Sequence, residues 1–401
     1  LITIQYLEDA PELLHLDTGT VVRKLRDAYQ QLPFSHLLIG WNLPRRLLEA
    51  CRLEAESLDM RFLRWHPLLT GDAVFEPRSE WQVIGVDGAK VMGFRNLPEF
   101  TFVCPNHPQV QEVTLNRISE LVSEGVYQGF FLDRIRFPSP AADPFSHLGC
   151  FCEHCIRKAA GLGLDLVQVR RRIAQLRQTE QGCVGLVQSL LGVKETLLDE
   201  PTTQMVGAFL DFRQQSVTDF VTLVCNLLQE GGMEIGLDCF SPGLMRMVGQ
   251  DLSSLSRLVD WVKVMTYLHT VGPAGLPFEL LGILDHLLAA TRLPVSRVLT
   301  LIGNALGLPL PESRQDLVNI GLPSRALQVE LRRGLEYCHA PLLVGIELVE
   351  LEGVANPFPE QIKADLAEIK ATNVGGIAIS WDLWHIPLTR LELVRQVYLE
   401  G

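Results

Sequence analysis

Gly129-Phe130-Phe131-Leu132-Asp133 carries four residues suited to a buried strand and closes on a carboxylate. A strand that is apolar at successive positions, not alternate ones, is covered on both faces, as in a parallel sheet flanked by helices. This run, taken back to Gln128, is one of eight. The others are Leu1 to Tyr6, His36 to Trp41, Met60 to Trp65, Met233 to Asp238, Trp261 to Tyr267, Leu342 to Leu348 and Val374 to Trp381. Between them the apolar residues recur at helical spacing. Val110, Val113, Ile118, Leu121 and Val122 share one side of a predicted helix, and Phe209, Phe212, Val217, Phe220, Val221 and Val224 share one side of another. Gly231-Gly232 and Asn373 end helices just before the fifth and eighth strands.

Eight such units predict an α/β chain closed into a (β/α)8 TIM barrel, one domain over residues 1–401. No Gly-x-Gly-x-x-Gly follows the first strand, which argues against an open dinucleotide-binding sheet. Two connections are long. Residues 67–107 follow strand three, and residues 138–206 form a mostly helical insertion after strand four. Both loops leave the C-terminal face of the barrel, where sites are built. Residues 292–325, rich in Pro, Gly and Leu, have room for an extra short strand or helix.

Composition narrows the partners. The 401 residues are 47% hydrophobic and 20% charged, without a run of 18 apolar residues, so a soluble chain with no membrane span is expected. The formal net charge of -12 offers no footprint for a nucleic acid backbone, and Arg170, Arg171 and Arg172 fit one solvated helix face. Nine cysteines, an odd number that includes several in strand or helix patterns, favour a reducing, cytoplasmic compartment.

The strand ends aim Gln5, Tyr6, Trp41, Trp65, His66, Asp133, Asp238, Tyr267, His269, Glu347, Trp381 and Asp382 at the barrel mouth. Carboxylates among aromatics are what glycoside hydrolysis requires: one carboxyl protonates the leaving oxygen, another attacks or activates water, and flat rings receive sugar faces. Asp133 and Glu347 are the expected catalytic pair. Asp133 has a structural alternative, capping the next turn or pairing with Arg134 or Arg136, and Glu350 and Glu352 compete with Glu347. Asp238 precedes a Ser-Pro-Gly turn and is a reserve carboxylate, as is Asp382. Trp41, Trp65 and Trp381 are candidate sugar platforms or packing residues, and His66, Arg136 and Tyr267 complete the expected substrate contacts.

Cys150-Phe-Cys152-Glu-His-Cys155 places three thiols within six residues, a spacing that suits one tetrahedral soft metal. Cys104, on the strand-three connection, is the expected fourth ligand, with His147 and His154 as competitors and free thiols or disulfides as the metal-free alternatives. A closed four-cysteine zinc site would be structural.

Cys104-Pro-Asn-His-Pro, Gly129-Phe-Phe-Leu-Asp-Arg-Ile-Arg-Phe-Pro138 and the cysteine triplet together resemble the hypothetical glycosyl hydrolase families, barrels with a strand-four Asp-x-Ile-Arg-Phe/Tyr-Pro segment and a Cys-x-Cys-x-x-Cys loop. The layout is also similar to the zinc-containing β-galactosidases of glycoside hydrolase family 42. That resemblance implies zinc on Cys104, Cys150, Cys152 and Cys155. The wider clan of retaining barrel glycosidases implies an acid/base at Asp133, a tyrosine at Tyr267, a nucleophile at Glu347 and a tryptophan at Trp381. One departure matters: the clan has Asn-Glu where this chain has Leu132-Asp133, so acid and nucleophile roles could be exchanged. The expected function is hydrolysis of O-glycosidic bonds in a carbohydrate substrate. The alternatives are a carbohydrate-binding barrel without catalysis and a barrel lyase or isomerase acting on a sugar.

Overall fold

The computed structural model describes residues 1–8, 13, 15–71, 77–97 and 100–401. Eight parallel strands close into a barrel in chain order: β1 Ile2–Tyr6, β2 His36–Ile39, β3 Arg61–Pro67, β4 Gly129–Asp133, β5 Glu234–Cys239, β6 Trp261–Val264, β7 Leu342–Glu347 and β8 Gly376–Ser380. The seam pairs Ile2 with Ile377 and Ile4 with Ile379. The (β/α)8 expectation holds, with strand ends displaced by a few residues.

The doubly apolar strands divide by parity. Leu38, Leu63, Phe131, Trp261, Leu343 and Ala378 meet inside the barrel, whereas Leu37, Phe62, Phe130, Leu132, Ile235, Val262, Val344 and Ile377 belong to the outer core, under the helices. Three layers stack along the interior. At the N-terminal end Glu234 takes His36 Nε2 at 2.8 Å, Arg61 Nε at 3.0 Å and Trp261 Nε1 at 2.8 Å. Burial alone would raise the Glu234 pKa, but these donors outweigh it and hold the carboxyl at about 2. The apolar layer comes next. Above it, on Gln5, Asp133, Asp238, Lys263 and Ser380, the interior turns polar again.

The connection after β3 runs to helix Pro108–Ser123. After β4 come helices Glu153–Gly161, Leu166–Leu176 and Glu180–Leu190, then the long helix Glu200–Glu230. The stretch 292–325 holds two helices, Val295–Leu306 and Arg314–Asn319, and no strand. Among the described residues no helix is long and apolar enough to cross a membrane.

Gly236 makes room for the large residues of the apolar layer: a Cβ there would lie 2.3 Å from the rigid indole of Trp261. Gly236→Ala should therefore overpack the barrel and cost about 1–3 kcal/mol. Urea unfolding would show this as a lower midpoint with unchanged slope.

Candidate active site and cysteine cluster

Strand parity delivers Asp133, Asp238 and Lys263 to the top of the interior, two residues above Phe131, Gly236 and Trp261 respectively. A cavity of about 210 Å³ opens over them, its wall including Trp65, Phe100, Tyr267 and Trp381. Both Asp133 oxygens accept hydrogen bonds: Oδ2 from Trp65 Nε1 at 3.0 Å and Oδ1 from the Arg134 backbone N–H. Arg134 itself has φ +54°, a left-handed turn that breaks the strand at this point. Its guanidinium lies over the Trp41 and Phe100 rings, while that of Arg136 lies over Phe102 and Phe240.

Asp238 and Glu8 share the cavity with Asp133; Glu8 lies 3.5 Å from Arg134 Nη2, and Asp238 sits on the floor. Burial, with Asp133 adding its repulsion, raises its pKa from 3.8 to about 7, although Lys263 Nζ sits 2.9 Å from Oδ2 and opposes the shift. Its other oxygen, Oδ1, is buried and has no partner among the described residues, and so is Nε2 of Gln5. Lys263 also donates to Gln5 Oε1 at 2.9 Å, and Ser380 donates to the same oxygen at 2.8 Å. Burial would pull the Lys263 pKa down, but Asp238 and Tyr267 reverse this and the net shift is upward. Burial raises the Tyr267 phenol. Gln5, Asp133 and Asp238 thus line the cavity with two carboxyls and two unsatisfied polar atoms, and Lys263 lies fully buried behind them as a fixed cation.

Of the residues expected at the mouth, Asp133, Trp65, Arg136, Asp238, Tyr267 and Trp381 line this cavity; Glu347, Trp41, His66 and Asp382 do not. The Glu347 carboxylate is taken by the His269 backbone N–H at 2.6 Å, and burial raises its pKa to about 7. His269 in turn contacts Asp365 at 2.9 Å, on helix Pro359–Lys370. Trp41 packs edge-on against Trp65, with centroids 5.2 Å apart. His66 has the opposite parity from Trp65: it receives Arg64 Nε and packs on Phe130. Asp382 accepts the backbone N–H groups of Leu7, Glu8 and Trp384, which makes it a brace for the first and last loops. Lys263 was missed. Its signal was a lysine in Trp-Val-Lys-Val, at the same parity as Trp261. Phe100 lies on an irregular loop and gave none.

The sulfurs of Cys104, Cys150, Cys152 and Cys155 lie within 4.8 Å of one another. Cys104 stands 3.4 Å from Cys155 and 3.6 Å from Cys152, spacings compatible with four ligands on one metal ion. Donors face the sulfurs: the Ile84 N–H reaches Cys150 at 3.4 Å and Asn106 Nδ2 reaches Cys155 at 3.3 Å. The histidine competitors are not in this cluster. His154 packs against His107, its ring tilted by 58° and the centroids 4.3 Å apart.

No protein-family model and no curated protein matches the chain. Among solved structures it is similar to the PgaB (BpsB) glycoside hydrolase domain of Bordetella bronchiseptica: 12% identity, 99% of this chain and 98% of that one, TM-score 0.57. It is also similar to the β-galactosidase of the psychrophilic Marinomonas ef1, with 10% identity, 99% and 59% coverage and TM-score 0.54. A third likeness is α-L-fucosidase isoenzyme 2 of Paenibacillus thiaminolyticus, with 11% identity, 100% and 48% coverage and TM-score 0.53. The chain spans 59% and 48% of the lengths of the last two. At these identities the likeness is one of fold: the barrel architecture is shared with proteins described as glycosidases.

Lys263→Met leaves Asp238 buried beside Asp133 without its cation, and is expected to cost about 3–5 kcal/mol at pH 8. A carboxyl whose folded pKa is raised binds its proton more tightly in the folded state, so stability falls as pH rises from 3.8 towards about 7. The penalty of the variant should therefore shrink at pH 5. Urea titrations of both proteins at the two pH values measure it.

Proposed function

We propose that this protein is a glycoside hydrolase that cleaves O-glycosidic bonds with carboxyls at the C-terminal mouth of its barrel. The observation that carries the reading is the placement of Asp133 and Asp238 in one aromatic-walled cavity, in unlike surroundings. Pairs of carboxyls whose environments differ are how one site supplies both an acid and a base or nucleophile. Asp238, with its pKa raised to about 7, is suited to hold the proton delivered to the leaving oxygen. Asp133, whose two oxygens already accept N–H groups, is suited to the role of base or nucleophile. Glu347, the strand-seven carboxyl that the clan resemblance makes the nucleophile, is assigned a supporting role because the His269 N–H holds it outside the cavity wall. Trp65, Tyr267 and Trp381 receive the sugar, and Gln5 Nε2 and Asp238 Oδ1, buried and without partners among the described residues, are the groups that meet its hydroxyls.

Asp133→Asn and Asp238→Asn are each expected to lower kcat on a reactive aryl glycoside by about 10²–10⁴-fold, with the fold retained. Turnover unchanged in both variants would sink the assignment. Absence of turnover across a glycoside panel in the parent, with sugar binding intact, would instead favour a carbohydrate-binding barrel.

The four-cysteine cluster is assigned to structural zinc. Four thiolates fill a tetrahedral ion, so the metal would brace the loops after β3 and β4 and leave no open position for chemistry. Arg213, fully buried, has Cys150 and Cys155 as its charged neighbours and supplies a compensating cation. Protein purified without chelator should carry about one zinc per chain by elemental analysis, and stripping it should lower the unfolding temperature. A metal-free preparation of undiminished stability would remove the assignment.

A further inference from the structure

Arg136 stands out among the buried cations. Lys263 donates to Asp238 Oδ2 and Gln5 Oε1, and Arg390 donates to Leu348 O, Val349 O and Asn356 Oδ1. Arg136 is only 7% exposed, yet the one hydrogen bond it makes among the described residues runs from Nη1 to the carbonyl of its neighbour Phe137, at 3.3 Å. The guanidinium lies over the Phe102 and Phe240 rings, with its carbon 4.6 and 4.8 Å from their centroids. Most of its N–H groups are unengaged among the described residues. A guanidinium edge is a planar donor array shaped for a bidentate anion.

The acids nearby do not supply that anion. Asp133 is engaged by Trp65 and the Arg134 N–H, Asp238 by Lys263, and Glu279 by Ser139 and the Ala274 N–H. Arg136 also marks a boundary. It lines the cavity over Asp133 and a second, neighbouring cavity of about 560 Å³, whose walls include Phe94, Phe102 and Phe278. Phe100 and Pro273 are shared by both, so the two cavities adjoin. An anionic group over Asp133 and Asp238 would meet two carboxyls. The second cavity has its own acids, but Asp285 there is paired with Arg314 and Glu279 is engaged by Ser139 and the Ala274 N–H, which leaves Arg136 to an incoming anion, among aromatic faces suited to a sugar ring.

We propose that the second cavity is a subsite for an acidic sugar unit, a uronate or a sulfate ester, whose anionic group is bound by Arg136 while the adjoining unit lies over Asp133 and Asp238. The proposal rests on reading the first cavity as a carbohydrate site. It makes the substrate an oligosaccharide or polysaccharide that carries negative charge.

Calorimetric titration of the full chain with glucose, glucuronate and glucose 6-sulfate tests it. One or both anionic sugars should bind at least about tenfold more tightly than glucose at low salt, a difference of about 1.4 kcal/mol. Preference for glucuronate identifies the carboxylate and preference for glucose 6-sulfate the ester. Equal or weaker binding of both would overturn the subsite. Arg136→Lys keeps the charge but not the planar edge and should remove most of the preference. Should that variant not fold, Phe278→Ala locates the site: it should weaken binding of the preferred anion severalfold, and an unchanged affinity would overturn the placement. The two readings fail separately. Turnover of neutral glycosides without anion preference sinks the subsite alone, and anion preference without turnover of any glycoside sinks the hydrolase alone.

Discussion

The contact of Lys263 with Asp238, sealed inside the barrel, is the constraint on which the rest of the mouth depends. A lone ammonium or carboxylate at this depth would be costly, and the pair persists because each has the other and Lys263 also has the Gln5 amide oxygen. The partners come from separate strands: Lys263 from β6, Asp238 from β5 and Gln5 from β1, with Ser380 of β8 on the same Gln5 oxygen. The polar floor is therefore a property of barrel closure, and no local segment could build it. It also sets the character of Asp238, which burial and Asp133 push towards protonation and Lys263 pulls back towards the carboxylate.

Around that floor, the loops are tied through their side chains. Cys104 lies two residues beyond Phe102, one of the rings beside Arg136. Arg213, beside the cysteines, donates to the carbonyls of Gly149 and Met247 and lies over Phe137, the residue next to Arg136. The cysteine cluster and the cleft are thus linked by one continuous set of packed rings and guanidinium groups.

The barrel was legible in the sequence because both faces of each strand are buried, which leaves short continuous apolar runs between amphipathic helices. The site was legible only in part, because proximity to a strand end does not determine what a side chain faces. Trp65 and His66 are adjacent, yet parity sends one into the barrel and the other against Phe130. Glu347 ends its strand as expected, but the His269 backbone, from a loop with no periodic signal, takes its carboxylate. Asp382 is absorbed by three backbone donors in the same way. The cysteine grouping was legible because three of its members are close in sequence. Lys263 could have been found by the rule that located the strands, since a charge at an inward position of a closed barrel must have a partner on another strand.

The β1–β8 seam has a temporal consequence. Gln5 and Ser380 meet across a sequence separation of 375 residues, and Leu1 donates to the carbonyl of Gly375. During synthesis β1 is made before β8 and has no neighbour on that side until the β8 segment has followed it. Until then Gln5 cannot be fixed by Ser380, and the Lys263 charge lacks its completed cage. The chemistry at the mouth thus cannot be assembled before β8 has been made, and a nascent chain stopped short of Ser380 presents an open sheet edge instead of a site.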